Sequence, residues 1–284
     1  MKTNVDPQPQ ARNVCPMCGD DSMTVHFTYS EPPPLETRFP LAKGERYWRE
    51  VHRCGHCGHY IESFAPDQGS LYAGEYVSTL YRDRDGIRRA FDRINALPQE
   101  QSDNIGRVRY VDSYCRGRWD GRQTPRLLDV GAGLGVFPYR MKQAGWDCVA
   151  LDMDERLAAH HREVAGVQAF VGDVRNVDGI GSFDLVTFNK VLEHVDEPIE
   201  MLTSIGRLLG PDGLVYVELP DGEAAEAEGK EREEFLLGHK HVFSRASYAL
   251  LIANAGFELL TCERLREPST KFTLRGFARA GATT

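Results

Sequence analysis

Apolar and polar positions change rhythm twice along the chain, which divides it into three parts. In "SMTVHFTY", Met23, Val25, Phe27 and Tyr29 alternate with polar residues, the period of two that lays one face of a strand on a core. "EPPP" has to be loop, and "RYWREVHRC" is a second apolar stretch, so residues 14–68 are predicted to form a small β-ribbon behind a polar, disordered tail at 1–13. From Gly69 the spacing is helical, through "SLYAGEYVSTLYRDRDGIRRAFDRINAL" and, beyond the break at Pro98, "SDNIGRVRYVDSYCRGRW"; residues 69–125 are predicted to be a helical connector. From Arg126 to 284 strands and helices alternate: "RLLDV", a helix from Val136 to Ala144, "CVALD", a helix from Glu155 to Val164, "AFV", "FDLVTF", a helix from Glu197 to Leu209, and "LVYVEL". That alternation predicts an α/β fold, a parallel sheet with helices on both faces.

Local signals sharpen the picture near the end of the chain. Pro198 suits the first turn of a helix, where its missing amide costs nothing, and Met201, Leu202, Ile205, Leu208 and Leu209 make an apolar stripe for packing. Ser244 is placed to cap a further helix that stops at Gly256. "FELLTCERL" and "KFTLRGFARA" have no helix between them, so they are expected to pair antiparallel. "DGEAAEAEGKEREE" reads as a charged, exposed segment.

Composition narrows the functional classes. The net charge of −8 splits into −2 for residues 1–68, +3 for 69–126 and −9 for 127–284. A chain this acidic is poorly suited to a long nucleic acid, whereas a local basic segment suits one small anionic acceptor. "MKTNVDPQPQ" has no apolar leader and no run approaches a membrane span, so a cytoplasmic protein is expected. Of seven cysteines, four sit in two C-x-x-C pairs. In a reducing compartment that pattern favours a metal over disulfides, and leaves Cys115, Cys148 and Cys262 as free thiols.

"LLDVGAGLGVF" carries the central chemistry. A strand ends on Asp129, turns through Gly131, Gly133 and Gly135 and opens a helix, aiming backbone amides at whatever lies above. A dinucleotide loop wants its third glycine where this chain has Val136. The surrounding pattern, over residues 126–280, resembles the class I methyltransferases that use S-adenosylmethionine (SAM), with a Rossmann-like sheet and an antiparallel last strand. The resemblance implies that Asp129, Gly131 and Gly133 hold the amino acid end of SAM. It implies that Asp152, 17 residues beyond Gly135, takes the ribose hydroxyls with Met153 beside it, that Asp173 and Val174 of "VGDV" clamp the adenine, and that Asn189 and Lys190 lie near the sulfonium.

Each cysteine pair, "CPMCGD" and "CGHCGH", is a tight turn with its sulfurs accessible to an ion. Cys15, Cys18, Cys54 and Cys57 together predict a closed tetrahedral zinc site, structural because no position is left for water; iron is the less favoured occupant. His52, His56 and His59 read as turn residues or supporting donors. With "LYAGEY" and "SDNIGRV" added, the whole chain resembles the zinc-ribbon SAM methyltransferases of sugar, polysaccharide and secondary-metabolite pathways. That resemblance implies a ribbon that fixes the connector as a lid and an anionic acceptor such as a nucleotide-linked sugar or biosynthetic acid, methylated at oxygen or carbon. An RNA methyltransferase with the ribbon as reader and a non-catalytic SAM-binding subunit are the alternatives.

If the acceptor is a hydroxyl or carbon acid, its proton needs a base, for which a neutral imidazole is the natural group. His241 in "GHKHVFS" is the first choice, with His239, Glu218 and Asp221 as alternatives. His194 in "LEH" reads first as a capping or packing residue and second as an acceptor contact. Tyr72 and Tyr76, with Tyr81, Arg88, Arg89, Arg107 and Arg109, are the acceptor-side candidates on the connector.

Overall fold

The computed structural model of the chain describes residues 14–34, 36, 46–64, 83–119, 121 and 124–281. Tyr72, Tyr76 and Tyr81, with the rest of residues 69–82 at the start of the connector, lie outside the described residues.

Strands β1 (Met23–Tyr29), β2 (Arg49–Cys54) and β3 (Tyr60–Phe64) form the antiparallel ribbon. Its sheet takes a fourth strand, β9 (His241–Val242), from the far end of the chain, Ile61 pairing with His241. Helices α1 (Arg84–Asn95) and α2 (Asp103–Arg118) follow, capped by the side chains of Asp83 and Ser102.

The large sheet contains β4 (Arg126–Val130), β5 (Asp147–Asp152), β6 (Gln168–Val171), β7 (Phe183–Asn189), β8 (Leu209–Pro220), β10 (Phe257–Leu259), β11 (Glu263–Arg266) and β12 (Phe272–Ala280). The order is β10-β12-β8-β7-β4-β5-β6, with β11 also on β12. Strands β4 to β8 are parallel and β12 runs antiparallel to β8. Chain order reverses between β4 and β7, so a crevice opens at their carboxyl ends, where ligands of open α/β sheets bind. Successive residues point to opposite faces. Leu128, Val149 and Val186 accordingly enter one core and Leu127, Ala150 and Leu185 the other.

The closing strands pair as expected, but the first is broken into β10 and β11. Leu260 and Thr261 both donate to the carbonyl of Phe277, a bulge that sets two residues against one. Opposite it, a Cβ on Gly276 would stand 2.0 Å from the carbonyl oxygen of Thr261, so only glycine fits.

Helix α3 (Val136–Gln143) follows the glycine loop, α4 (Glu155–His160) passes into a π-turn at His161–Ala165, and α5 (Pro198–Ser204) tightens into a 3₁₀ turn. The predicted helix to Leu209 therefore stops early, and Leu209 already belongs to β8. Helix α7 (Arg245–Asn254) begins at Ser244 in a capping box with Ser247.

The segment expected to be charged and exposed is corrected in part. It folds as α6 (Gly222–Glu226) and a buried turn, with Glu234 accepting from Arg232 and from the Phe272 amide, while Glu226 accepts from the Tyr60 hydroxyl. Glu223, Glu228, Lys230 and Glu231 do remain exposed, as expected, while Glu226 and Glu234 face the ribbon's donors and the backbone. Among the described residues, no helix is long and apolar enough to cross a membrane.

Candidate active site

The glycine loop sits at the crevice. Gly131, Gly133 and Gly135 all have positive φ, at 65°, 53° and 71°. A Cβ on Gly131 would lie 2.8 Å from Val191 and one on Gly135 would lie 2.6 Å from His161, so the loop is close-packed as well as left-handed. His161 contacts the Gly133 carbonyl through Nε2 at 2.7 Å. A carbonyl only accepts, so that nitrogen carries the proton, and burial pushes the imidazole down to about 4, which keeps it neutral. Nothing in the sequence pattern marks His161 for this work.

Asp129 is buried, and its Oδ1 accepts from the Thr187 hydroxyl and the Asn189 amide, each at 2.7 Å. Burial raises its carboxyl to about 7 against those two neutral donors. Asn189 Oδ1 is buried without a hydrogen-bond partner among the described residues. Asp152 accepts from the amides of Gly133 at 2.9 Å and Asp154 at 3.0 Å, while burial raises its pKa as well. Met153 beside it is 70% exposed. Asp173 accepts from the Arg175 amide and guanidinium, which hold its carboxyl below the usual range, and Val174 is buried. Thr187 was missed by sequence reasoning, although a lone polar residue inside the apolar run "FDLVTF" was a visible signal.

At the end of β8, Glu218 is fully buried and receives both Nε (2.7 Å) and Nη2 of Arg107, together with the Tyr216 hydroxyl at 2.9 Å. Burial opposes its charge, but the guanidinium prevails and holds the carboxyl down to about 2. This corrects two expectations. Arg107 is engaged by Glu218 rather than turned to an acceptor, and Glu218 is a neutralised anchor for α2 rather than a ready base. Asn104 of α2 donates to the Val136 carbonyl at 2.9 Å, so α2 is tied both to the glycine loop and to the end of β8. Lys190, at φ 60°, gives its ammonium to Thr273 Oγ1 at 2.7 Å, and burial lowers its pKa. Arg88 and Arg89 pair loosely with Asp92 and Asp83 on the exposed face of α1, and Arg109 is exposed.

The histidines separate. His241 is 1% exposed; its Nδ1 meets His59 Nε2 at 3.0 Å and its Nε2 faces the Asp196 carbonyl at 3.4 Å. As first-choice base it is a correction, because both ring nitrogens are taken up inside the ribbon interface. His59, expected in a turn, is wholly buried against it. Asp221 is likewise committed, capping α6 through the Ala224 amide and pairing with Arg264. His194 and His239 lie together, ring centroids 5.0 Å apart, beside Glu193. Burial lowers the His239 pKa to about 3, so its ring is neutral.

Within the ribbon the four cysteines converge, Cys15 to Cys57 at 3.5 Å and Cys18 to Cys54 at 3.6 Å. A disulfide needs about 2.05 Å between sulfurs, whereas four sulfurs about 2.3 Å from a central zinc stand about 3.8 Å apart. The spacing therefore fits a tetrathiolate ion. Helix α7 grips both turns, Ser244 Oγ donating to the Cys57 carbonyl at 2.5 Å and Asn254 to the Met17 carbonyl at 2.7 Å.

The reversed strand order, the antiparallel β12 and the glycine loop backed by acids on β4 and β5 define the Rossmann-like fold of the SAM-dependent methyltransferases. Residues 81–262 match the family described as methyltransferase domain, and the chain belongs to that family. A ubiquinone biosynthesis O-methyltransferase of Caulobacter sp. (strain K31) is 31% identical over 137 residues, covering 46% of this chain and 50% of its own length. A second, from Actinobacillus pleuropneumoniae, is 27% identical, covering 53% of this chain and 63% of its own. The chain thus spans about half to under two thirds of these relatives. Among solved structures, magnesium protoporphyrin IX methyltransferase from Synechocystis PCC 6803, with bound S-adenosylhomocysteine (SAH), superposes at a TM-score of 0.54 and 18% identity, covering 74% of this chain and all of that one.

Proposed function

We propose that the protein transfers the methyl group of SAM to an oxygen of a small acceptor, with carbon as the second choice of atom. The observation that carries this reading is Asp129, a buried carboxylate met only by neutral donors, beside a glycine loop and a second, half-buried acid, Asp152. When bound, SAM supplies an electrophilic methyl group on a cationic sulfur. In this reading Asp129 and the orphaned Asn189 oxygen receive its ammonium, Asp152 accepts from its ribose hydroxyls, and the open side of Gly133 admits it at backbone distance, while Gly131 is packed on Val191. Asp173 and Val174 face the adenine, Asp173 exchanging part of its contact with Arg175. Helix α2 holds the connector over the crevice through Asn104 and Arg107, and the basic balance of residues 69–126 favours an anionic acceptor. SAH calorimetry, followed by an SAH-release assay over pooled hydroxylated acids and nucleotide sugars, tests the reading; absence of SAH binding rejects it.

We assign zinc to Cys15, Cys18, Cys54 and Cys57 as a structural ion. The Cys54→Ser chain should lose stoichiometric zinc together with the ribbon's strand signals, since a thiolate leaves a closed site. Elemental analysis finding neither zinc nor iron in the purified protein would reject the assignment.

A further inference from the structure

A second cluster of ligating atoms lies just past the carboxyl end of β7, away from the cysteines. Glu193, His194 and His239 each offer one ligand atom, all within 4.8 Å of one another, with His194 Nε2 4.0 Å from Glu193 Oε1. Glu193 is 1% exposed, and neither carboxylate oxygen has a hydrogen-bond partner among the described residues. A buried carboxylate of this kind, offset electrostatically by His194 and Lys190 but without a hydrogen bond, still gains from a cation bound directly to it.

The two imidazoles are set up in the same way. His194 Nδ1 stands 2.8 Å from the Gly238 carbonyl and His239 Nδ1 2.8 Å from the Glu234 carbonyl. A carbonyl cannot donate, so each Nδ1 carries the proton and each Nε2 presents a lone pair. A backbone oxygen that fixes the tautomer in this way is the usual support of a metal-bound histidine. His194 is 29% exposed, which leaves an approach from solvent.

We propose that Glu193, His194 and His239 bind one divalent first-row transition ion through the carboxylate and the two Nε2 atoms, in an open site with positions left for an acceptor oxygen. Two imidazoles select such ions over magnesium or calcium, and three protein ligands with open positions are the pattern of a working site rather than a closed one. Ligand bonds of about 2.0–2.2 Å require the three groups to draw in by about an ångström, which side-chain rotation supplies. The ion's place beside the Asn189–Lys190 end of β7 deepens the methyl-transfer reading and rests on it: the ion would hold the acceptor's oxygen close to the methyl donor.

The test uses the full, tag-free chain carrying one equivalent of zinc, titrated with Co2+ by calorimetry and visible absorption. One further equivalent should bind with weak bands of nitrogen and oxygen ligation, without the intense charge-transfer bands of cobalt thiolate. Glu193→Gln and His239→Gln should each weaken that second event at least tenfold while leaving the bound zinc and circular dichroism unchanged. If Glu193→Gln does not fold, His194→Gln gives the same reading from a partly exposed position. No Co2+ bound beyond the one equivalent of zinc already present, or a second event unaltered in the folded variants, overturns the proposal. The readout needs no acceptor and no SAM, so failure of the metal site and failure of the methyl-transfer reading are seen separately.

Discussion

Asp129 and Glu218 are both buried carboxylates at the crevice, two strands apart in one sheet, and they are treated in opposite ways. Glu218 has a guanidinium on it and is held down to about 2; Asp129 has only a hydroxyl and an amide and is raised to about 7. A buried charge that is already paired serves the fold, here by tying helix α2 to the sheet. One left with neutral donors has free energy to recover from a cationic ligand. In the proposed reading Glu218 is the anchor and Asp129 the binding group, and the direction of each shift agrees with that division.

The largest effect should come from breaking the paired member. Arg107→Met leaves Glu218 buried without its partner and should cost about 3–5 kcal/mol of stability, read from urea unfolding. Adding Glu218→Gln should recover much of that loss; equal loss in the single and double variants would mean the pair is not what fastens α2.

Asp152, the acid proposed to bind beside Asp129, should behave in the reverse sense. Asp152→Ala should weaken SAH binding by about 1–3 kcal/mol in calorimetry, the range for buried polar groups that lose a charged acceptor, with little change in the urea midpoint. Unchanged affinity would show that β5 does not present the ribose acid.

Protons give a third measurement, with a definite sign. The folded pKa of Asp129 lies above the roughly 3.9 of an unfolded aspartate, so its contribution to stability is complete below that value and is lost as pH rises through about 7. Glu218 is depressed, so its contribution is present above about 4.3 and is lost as pH falls through about 2. Between pH 5 and 8 the wild type should therefore lose stability relative to Asp129→Asn, and saturating SAM should reduce the difference. Parallel profiles for the two chains would remove Asp129 from the comparison. The smallest effect is expected of Met153→Ala, within about 0.5 kcal/mol in stability because the side chain is exposed, and about 1 kcal/mol at most in SAH affinity.

What the sequence determined by itself was whatever is written in local spacing. The glycine loop, Asp129 and Asp152 follow from strand, turn and helix at fixed intervals, the cysteine pairs from C-x-x-C, the α7 cap from Ser244, and the closing antiparallel strands from two apolar runs without a helix between them. Tertiary structure alone decided the partners, because burial and pairing join residues far apart in the chain. Arg107 meets Glu218 across 111 positions and His59 meets His241 across 182, and each meeting turned a plausible catalytic group into a structural one. The same long-range closure brought His239 to Glu193 and His194 and strand β9 to the ribbon. Periodicity records which face of an element is apolar; it does not record which distant polar group that face will meet.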